Sequence, residues 1–271
     1  MTTRSKGTAL ITGASSGIGA IYADRLARRG YDLIIVARNR GKLDALATRL
    51  TNETHRSVEV LPADLNDRSD LARVEEALKR DSSLTVLVNN AGIGTFAPLL
   101  DSDVNKMSAM ISLNINALTR LTYAAAPGFV ARGAGTIINI SSIVAISPEM
   151  LNGVYGGAKA YVLAFSHSLQ HELAPKGIRV QAVLPGVTAT EFWDAGGMPV
   201  NNLPSEIVMT TENLVDAALS GLDQGELVTI PALPDKAEWD RFETARRDMS
   251  TRLSRTEPAA RYGGKTFAKA V

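Results

Sequence analysis

Thr8-Ala9-Leu10-Ile11-Thr12-Gly13-Ala14-Ser15-Ser16-Gly17-Ile18-Gly19 is a short apolar run that leads straight into a glycine-rich turn. Residues 8–12 are apolar and partly β-branched, which predicts a buried strand, and the stretch to Arg29 is compatible with a helix. Glycines at 13, 17 and 19 permit tight turns and close approach of a ligand, while free amides at a helix start attract a pyrophosphate. Their spacing, Gly-x-x-x-Gly-x-Gly, departs from the common dinucleotide fingerprint Gly-x-Gly-x-x-Gly. For this stretch alone, a glycine turn without a ligand remains a competing reading.

Strands alternate with helical patterns outward from that stretch. Continuous apolar runs predict strands at 8–12, 32–37, 58–61, 85–89, 135–141, 178–184 and 226–230. Helical spacing fills 18–29, 40–51, 67–80, 103–131, 154–174 and 211–222, with another helix near 235–253. This alternation predicts an α/β fold of parallel β-α-β units with right-handed crossovers. The least regular stretch, 187–210, holds Gly196, Gly197, Pro199 and Pro204 and is read as a mobile substrate loop. Trp239, Phe242, Met249 and Leu253 recur at near-heptad intervals in a segment rich in Arg, Asp and Glu, so 231–271 is read as a helical extension with one apolar stripe.

A chain of 271 residues, 45% hydrophobic and 21% charged, can bury one sizeable core, and a single domain over 1–271 is expected. With 29 basic and 28 acidic residues, the net charge of +1 offers no global attraction to nucleic acid or to an anionic membrane. The absence of Cys excludes disulfides and thiolate chemistry and is compatible with a reducing cytosol, so a cytoplasmic location is expected. The apolar stretch near the amino terminus is too short for a signal peptide, and no segment approaches membrane-spanning length.

Val154-Tyr155-Gly156-Gly157-Ala158-Lys159 carries the chemistry. A phenol has an ordinary pKa of about 10, so an enzyme that uses it near neutrality must stabilise the phenolate. Residues four apart share a helix face, so the Lys159 ammonium can approach the Tyr155 oxygen. A hydroxyl from Ser142 could hold a substrate oxygen beside it. Tyr-x-x-x-Lys alone is also the pattern of a solvated helix face, and its weight comes from its surroundings.

Thr12-Gly-Ala-Ser-Ser-Gly-Ile-Gly19, Asn89-Asn-Ala-Gly92, Asn114, Ile140-Ser-Ser142, Tyr155-x-x-x-Lys159 and Pro185-Gly186 together resemble the short-chain dehydrogenase/reductase family in order and spacing, over roughly residues 7–230. The resemblance implies a Rossmann-like doubly wound parallel sheet of about seven strands. It also implies a nicotinamide cofactor and hydride transfer between that cofactor and a small-molecule carbonyl or alcohol. It assigns Ser142 and Tyr155 to the substrate oxygen, with Tyr155 as proton donor. Lys159 lowers the pKa of Tyr155 and contacts the nicotinamide ribose, and Asn114 holds a water that continues a proton relay. Ser141 faces the other side of the strand and is read as structural. A homodimer or homotetramer built through the long helices is expected.

On the same resemblance Gly13, Ser15, Ser16, Gly17, Ile18 and Gly19 hold the cofactor phosphates, and Asn90, Ala91 and Gly92 line the cofactor. Asn90 contacts either the cofactor or only its own backbone. Asp64 and Leu65 border the adenine, with Asp64 alternatively a cap for the helix from 67. Pro185, Gly186, Val187, Thr188 and Thr190 pack on the nicotinamide. NAD sites place an acidic residue at the end of the second strand, whereas here Ala37 is followed by Arg38, whose guanidinium can pair with a 2′-phosphate. NADP is therefore expected ahead of NAD, although Ser16 leaves the glycine turn without a second basic residue.

Thr95, Phe96, Ile143, Val144, Met150, Phe192, Trp193 and Met198 are expected to line a pocket for a hydrophobic or aromatic substrate. His167 and His171 stand four apart, but roughly 120° and 160° around the helix from Tyr155. No metal site is expected, and Met107 and Met110 read as core or interface filler.

Overall fold

The computed structural model describes residues 5–195 and 198–262; Gly196, Gly197 and the end of the carboxyl-terminal extension lie outside the described residues. Seven parallel strands form one sheet in the order β3-β2-β1-β4-β5-β6-β7. They are β1 (Thr8–Thr12), β2 (Asp32–Ala37), β3 (Val58–Pro62), β4 (Leu84–Asn89), β5 (Gly135–Ile140), β6 (Ile178–Val183) and β7 (Val228–Thr229). β7 is shorter than expected because it pairs with β6 only through Ala182 with Val228 and Val183 with Thr229.

Period-two alternation sends successive side chains into two cores. Ala9 and Ile11 join Leu33 and Ile35 beneath α1 (Gly17–Arg28), α2 (Arg40–Thr54) and α8 (Thr211–Asp223). Leu10, Ile34 and Val36 enter the opposite core with residues of α3 (Arg68–Arg80), α5 (Leu118–Arg132) and α6 (Gly153–Leu173). Burial on both faces explains why the strands read as unbroken apolar runs. The strand order reverses between β1 and β4, which opens a crevice at their carboxyl ends, where ligands of such sheets bind.

The single helix expected over 103–131 is replaced by α4 (Val104–Ile111), a π-helical segment (Ser112–Ala117) and α5. Asn114 lies within the π segment and bonds the Ile93 backbone with both ends of its amide. Hydropathy spacing cannot register one residue of extra winding inside an otherwise helical run. The stretch 187–210 holds α7 (Phe192–Ala195), two short 3₁₀ turns and a parallel bridge between Thr188 and Met209.

The chain divides between Ala232 and Leu233 into two compact units. The sheet and its helices form one Rossmann-like domain in the first unit, and the second contains α9 (Lys236–Ser250). Asp235 caps α9 by accepting from the Ala237 amide, and the Trp239 and Phe242 rings lie 5.2 Å apart on it. Leu253, read as the last member of the stripe, falls past the helix end.

Candidate active site

The glycine turn after β1 meets the end of β4. Gly13 has φ +68°, a conformation that favours glycine, and a Cβ there would sit 2.7 Å from Asn90 Nδ2. A Cβ on Gly19 would strike the Gly13 carbonyl, so α1 can approach the turn only with glycine at that position. Thr12 Oγ1 accepts from the amides of Asn90 and Ala91, each at 3.0 Å. Asn90 Nδ2 donates to Thr12 O at 2.8 Å and Gly13 O at 3.3 Å. These bonds tie two strand ends together, and Asn90 also lines the cavity at the carboxyl edge of the sheet. At the start of α1, Ser16 makes no side-chain cap, which leaves first-turn amides available to an anion.

One cavity of about 960 Å³ runs along the carboxyl edge of the sheet. Gly13, Ser15, Ser16, Gly17 and Ile18 line it at one end, with Arg38, Asp64 and Leu65 on the same wall. Asn90, Ala91 and Gly92 form its middle, and Ser142, Tyr155, Lys159, Pro185, Gly186, Val187, Thr188 and Thr190 its far end. Gly19 and Asn114 do not line the wall: Gly19 packs behind Gly13, and the Asn114 amide bonds the Ile93 backbone while its oxygen faces Gly92.

Arg38 follows β2, is exposed, and makes no ion pair among the described residues. Asp64 does not cap α3; Asp67 does, accepting from the amides of Ser69 and Asp70 at 2.9 Å. Instead Asp64 accepts from the Asn66 amide at 3.0 Å, a local turn bond that holds the carboxylate on the cavity wall.

Asn152 starts α6 by accepting from the Val154 amide at 2.9 Å and donates to Ala97 O at 2.7 Å, which aims the first turn at the cavity. Tyr155 and Lys159 share a helix face as predicted, with Nζ 5.7 Å from the Tyr155 ring centroid. Both are buried. Burial pushes the Tyr155 phenol well above the ordinary phenol range, opposed by a hydrogen bond with the Ser142 hydroxyl. Burial also pushes the Lys159 ammonium down to about 8. Nζ donates to Ile140 O at 2.9 Å, so in this arrangement the ammonium is held by the strand carbonyl rather than by the phenol oxygen. A Cβ on Gly92 would lie 3.2 Å from Asn114 Oδ1 and 3.6 Å from Lys159 Nζ, so Gly92 keeps the space between them open. Ser141 Oγ donates to Lys159 O at 2.8 Å, the structural role expected of it.

Thr95, Ile143, Val144, Met150, Phe192 and Trp193 line the cavity as expected. Phe96 does not, because its ring stacks flat on Trp193 with centroids 5.0 Å apart. Met198 is also absent from the wall; its amide bonds Trp193 O at 3.0 Å. Trp193 Nε1 donates to Thr188 O at 2.7 Å, and Phe192 packs on Gly94 with its ring 5.7 Å from that of Tyr155. Met107 and Met110 pack with Tyr155 and also face the cavity. No group of three or more metal-ligating side chains occurs among the described residues.

Sequence reasoning missed Lys42 and Glu191, which line the cavity and pair at 2.8 Å. Lys42 could have been noticed, since it stands in the first turn of α2 just after Arg38. Glu191 carries no such local signal.

The sequence profile of a family described as short chain dehydrogenase matches residues 7–197. A very-long-chain 3-oxoacyl-CoA reductase of Anas platyrhynchos is 35% identical over 215 residues, covering 78% of this chain and 67% of the relative. A short-chain dehydrogenase from Sphingobium yanoikuyae, solved in complex with NADPH, superposes with a TM-score of 0.91 at 49% identity, over 93% of this chain and 98% of that one. A bulky-bulky ketone specific alcohol dehydrogenase from Comamonas testosteroni gives 0.87 at 44% identity, over 94% and 98% of the two chains.

Proposed function

Because the chain belongs to the short-chain dehydrogenase/reductase family and is an NAD(P)-linked oxidoreductase of CH–OH groups, we propose that it uses NADP(H) and interconverts a hydrophobic carbonyl compound with its secondary alcohol. The observation that carries this reading is the convergence of Ser142, Tyr155 and Lys159 at one end of a cavity whose other end holds Arg38 and no acid at Ala37. The open amides at the start of α1 and the close glycine packing beside them fit a dinucleotide pyrophosphate.

When bound, the nicotinamide supplies or accepts the hydride. In the reducing direction the Ser142 hydroxyl and Tyr155 phenol hydrogen-bond the substrate oxygen, and Tyr155 Oη gives its proton to that oxygen as the carbon receives hydride. A buried phenol beside a hydroxyl holds its proton until negative charge develops on the oxygen. Lys159, freed from Ile140 O, would stabilise the resulting phenolate, and Asn114, facing the same gap beside Gly92, would connect it to a water relay. Alcohol oxidation is the same path reversed.

The hydrophobic substrate reading rests on the wall around Tyr155, where Ile143, Val144, Met107, Leu151, Phe192 and Trp193 meet. It accords with a relative specific for bulky-bulky ketones. A homodimer or homotetramer through the long helices is part of the same reading, supported by the exposed Tyr123 on α5. A carbonyl and alcohol panel assayed with NADPH, NADP, NADH and NAD tests it. Bulky aromatic ketones should turn over best with NADPH; preference for NADH, or for small polar substrates, would refute it.

A further inference from the structure

Lys42 and Glu191 stand at the cofactor end of the cavity with no role in the chemistry above. Lys42 Nζ lies 2.8 and 3.0 Å from the two carboxylate oxygens of Glu191. The ion pair with Lys42 foremost, with Ser16 of the glycine turn acting in the same direction, holds the Glu191 carboxylate below the usual carboxylate range. An anion thus already sits on a helix-borne ammonium, in the cavity wall that Ser16 of the glycine turn also lines. Lys42 lines the cavity beside Arg38.

The backbone holds this arrangement in place. Asn39 caps α2 by accepting from the Lys42 amide at 3.0 Å, so Arg38 and Lys42 are presented from one short, fixed stretch. The Lys42 side chain is 45% exposed and that of Glu191 66%, and so exposed a pair exchanges readily for a stronger anion. A phosphate monoester, carrying close to two charges and three acceptor oxygens, is such an anion.

Resting on the NADP reading above, we propose that Lys42 is a second specificity residue for the cofactor 2′-phosphate beside Arg38, and that Glu191 is the internal anion the phosphate displaces from it. Glu191 then acts in two ways. It withholds Lys42 from a cofactor without the phosphate, and its charge opposes the phosphate until the exchange occurs.

Dissociation constants for NADPH and NADH, measured by fluorescence titration on the wild type, Lys42→Met, Glu191→Gln and the double variant, test this. Lys42→Met should weaken NADPH about tenfold and change NADH less than twofold. Glu191→Gln should tighten NADPH several-fold, and that gain should shrink in the Lys42→Met background, where only the relief of charge repulsion remains. Equal losses for both cofactors in Lys42→Met, or an unchanged NADPH affinity in either single variant, would overturn the role of Lys42 while a wild-type preference for NADPH stood. A wild type without that preference would overturn the NADP reading and this inference together. Circular dichroism of each variant separates misfolding from lost contact.

Discussion

Replacing Lys159 by Met should make the protein more stable at neutral pH while abolishing turnover. The ammonium is buried, and burial lowers its pKa from 10.5 to about 8. At about 1.4 kcal/mol per tenfold in proton affinity, keeping it charged in the native state costs about 3 kcal/mol below pH 8. Met fills similar space without a charge but leaves Ile140 O without the 2.9 Å bond from Nζ, a loss of about 1 kcal/mol. The net gain at pH 7 is therefore about 2 kcal/mol, or roughly 4–8 °C in Tm for a chain of this size. The sign reverses with pH. Between about 8 and 10.5 the unfolded chain binds more protons at this site than the native one, so wild-type stability rises there and the penalty disappears by pH 10.5. The advantage of Met should shrink over that window and end as a deficit of about 1 kcal/mol. Urea unfolding of both proteins at pH 7 and pH 10.5 measures the two differences, and other titrating groups cancel between them. A Met variant less stable at pH 7, or one whose advantage ignores pH, would refute the buried-charge argument.

Tyr155→Phe should cut turnover at least about 100-fold by removing the transferable proton, with NADPH affinity unchanged because the ring is retained; substantial residual turnover would remove Tyr155 from the chemistry. Combining Ala37→Asp with Arg38→Leu should move cofactor preference toward NADH by about 10- to 100-fold in kcat/KM, through a lost charge-assisted bond and added repulsion of the 2′-phosphate. Phe192→Ala should lower kcat/KM for bulky aromatic ketones about tenfold and for small aliphatic ones less than threefold, because the ring that packs on Gly94 beside Tyr155 forms part of the substrate wall. Equal effects on both substrate classes would assign Phe192 to anchoring the loop.

What the sequence by itself determined is local or periodic. The apolar run at 8–12, the glycines after it and the spacing of Tyr155 and Lys159 each state their geometry within a few residues, so strand, turn and shared helix face were legible. The sequence led to one sizeable core, and the structure divides it in two, since Ile11 and Leu10 face opposite sides of the sheet. What tertiary structure decided depends on partners far apart in the chain. Asn90 bonds the glycine turn of β1, Asp67 rather than Asp64 caps α3, and Phe96 stacks on Trp193 instead of lining the pocket. The π segment places Asn114 against Ile93, a choice the helical pattern of 103–131 did not contain. Lys42 and Glu191 meet across 149 positions. The protonation states of Tyr155 and Lys159 belong to the same class: the identity of a titrating group is written in the chain, but its desolvation exists only once the sheet and α6 have closed around it.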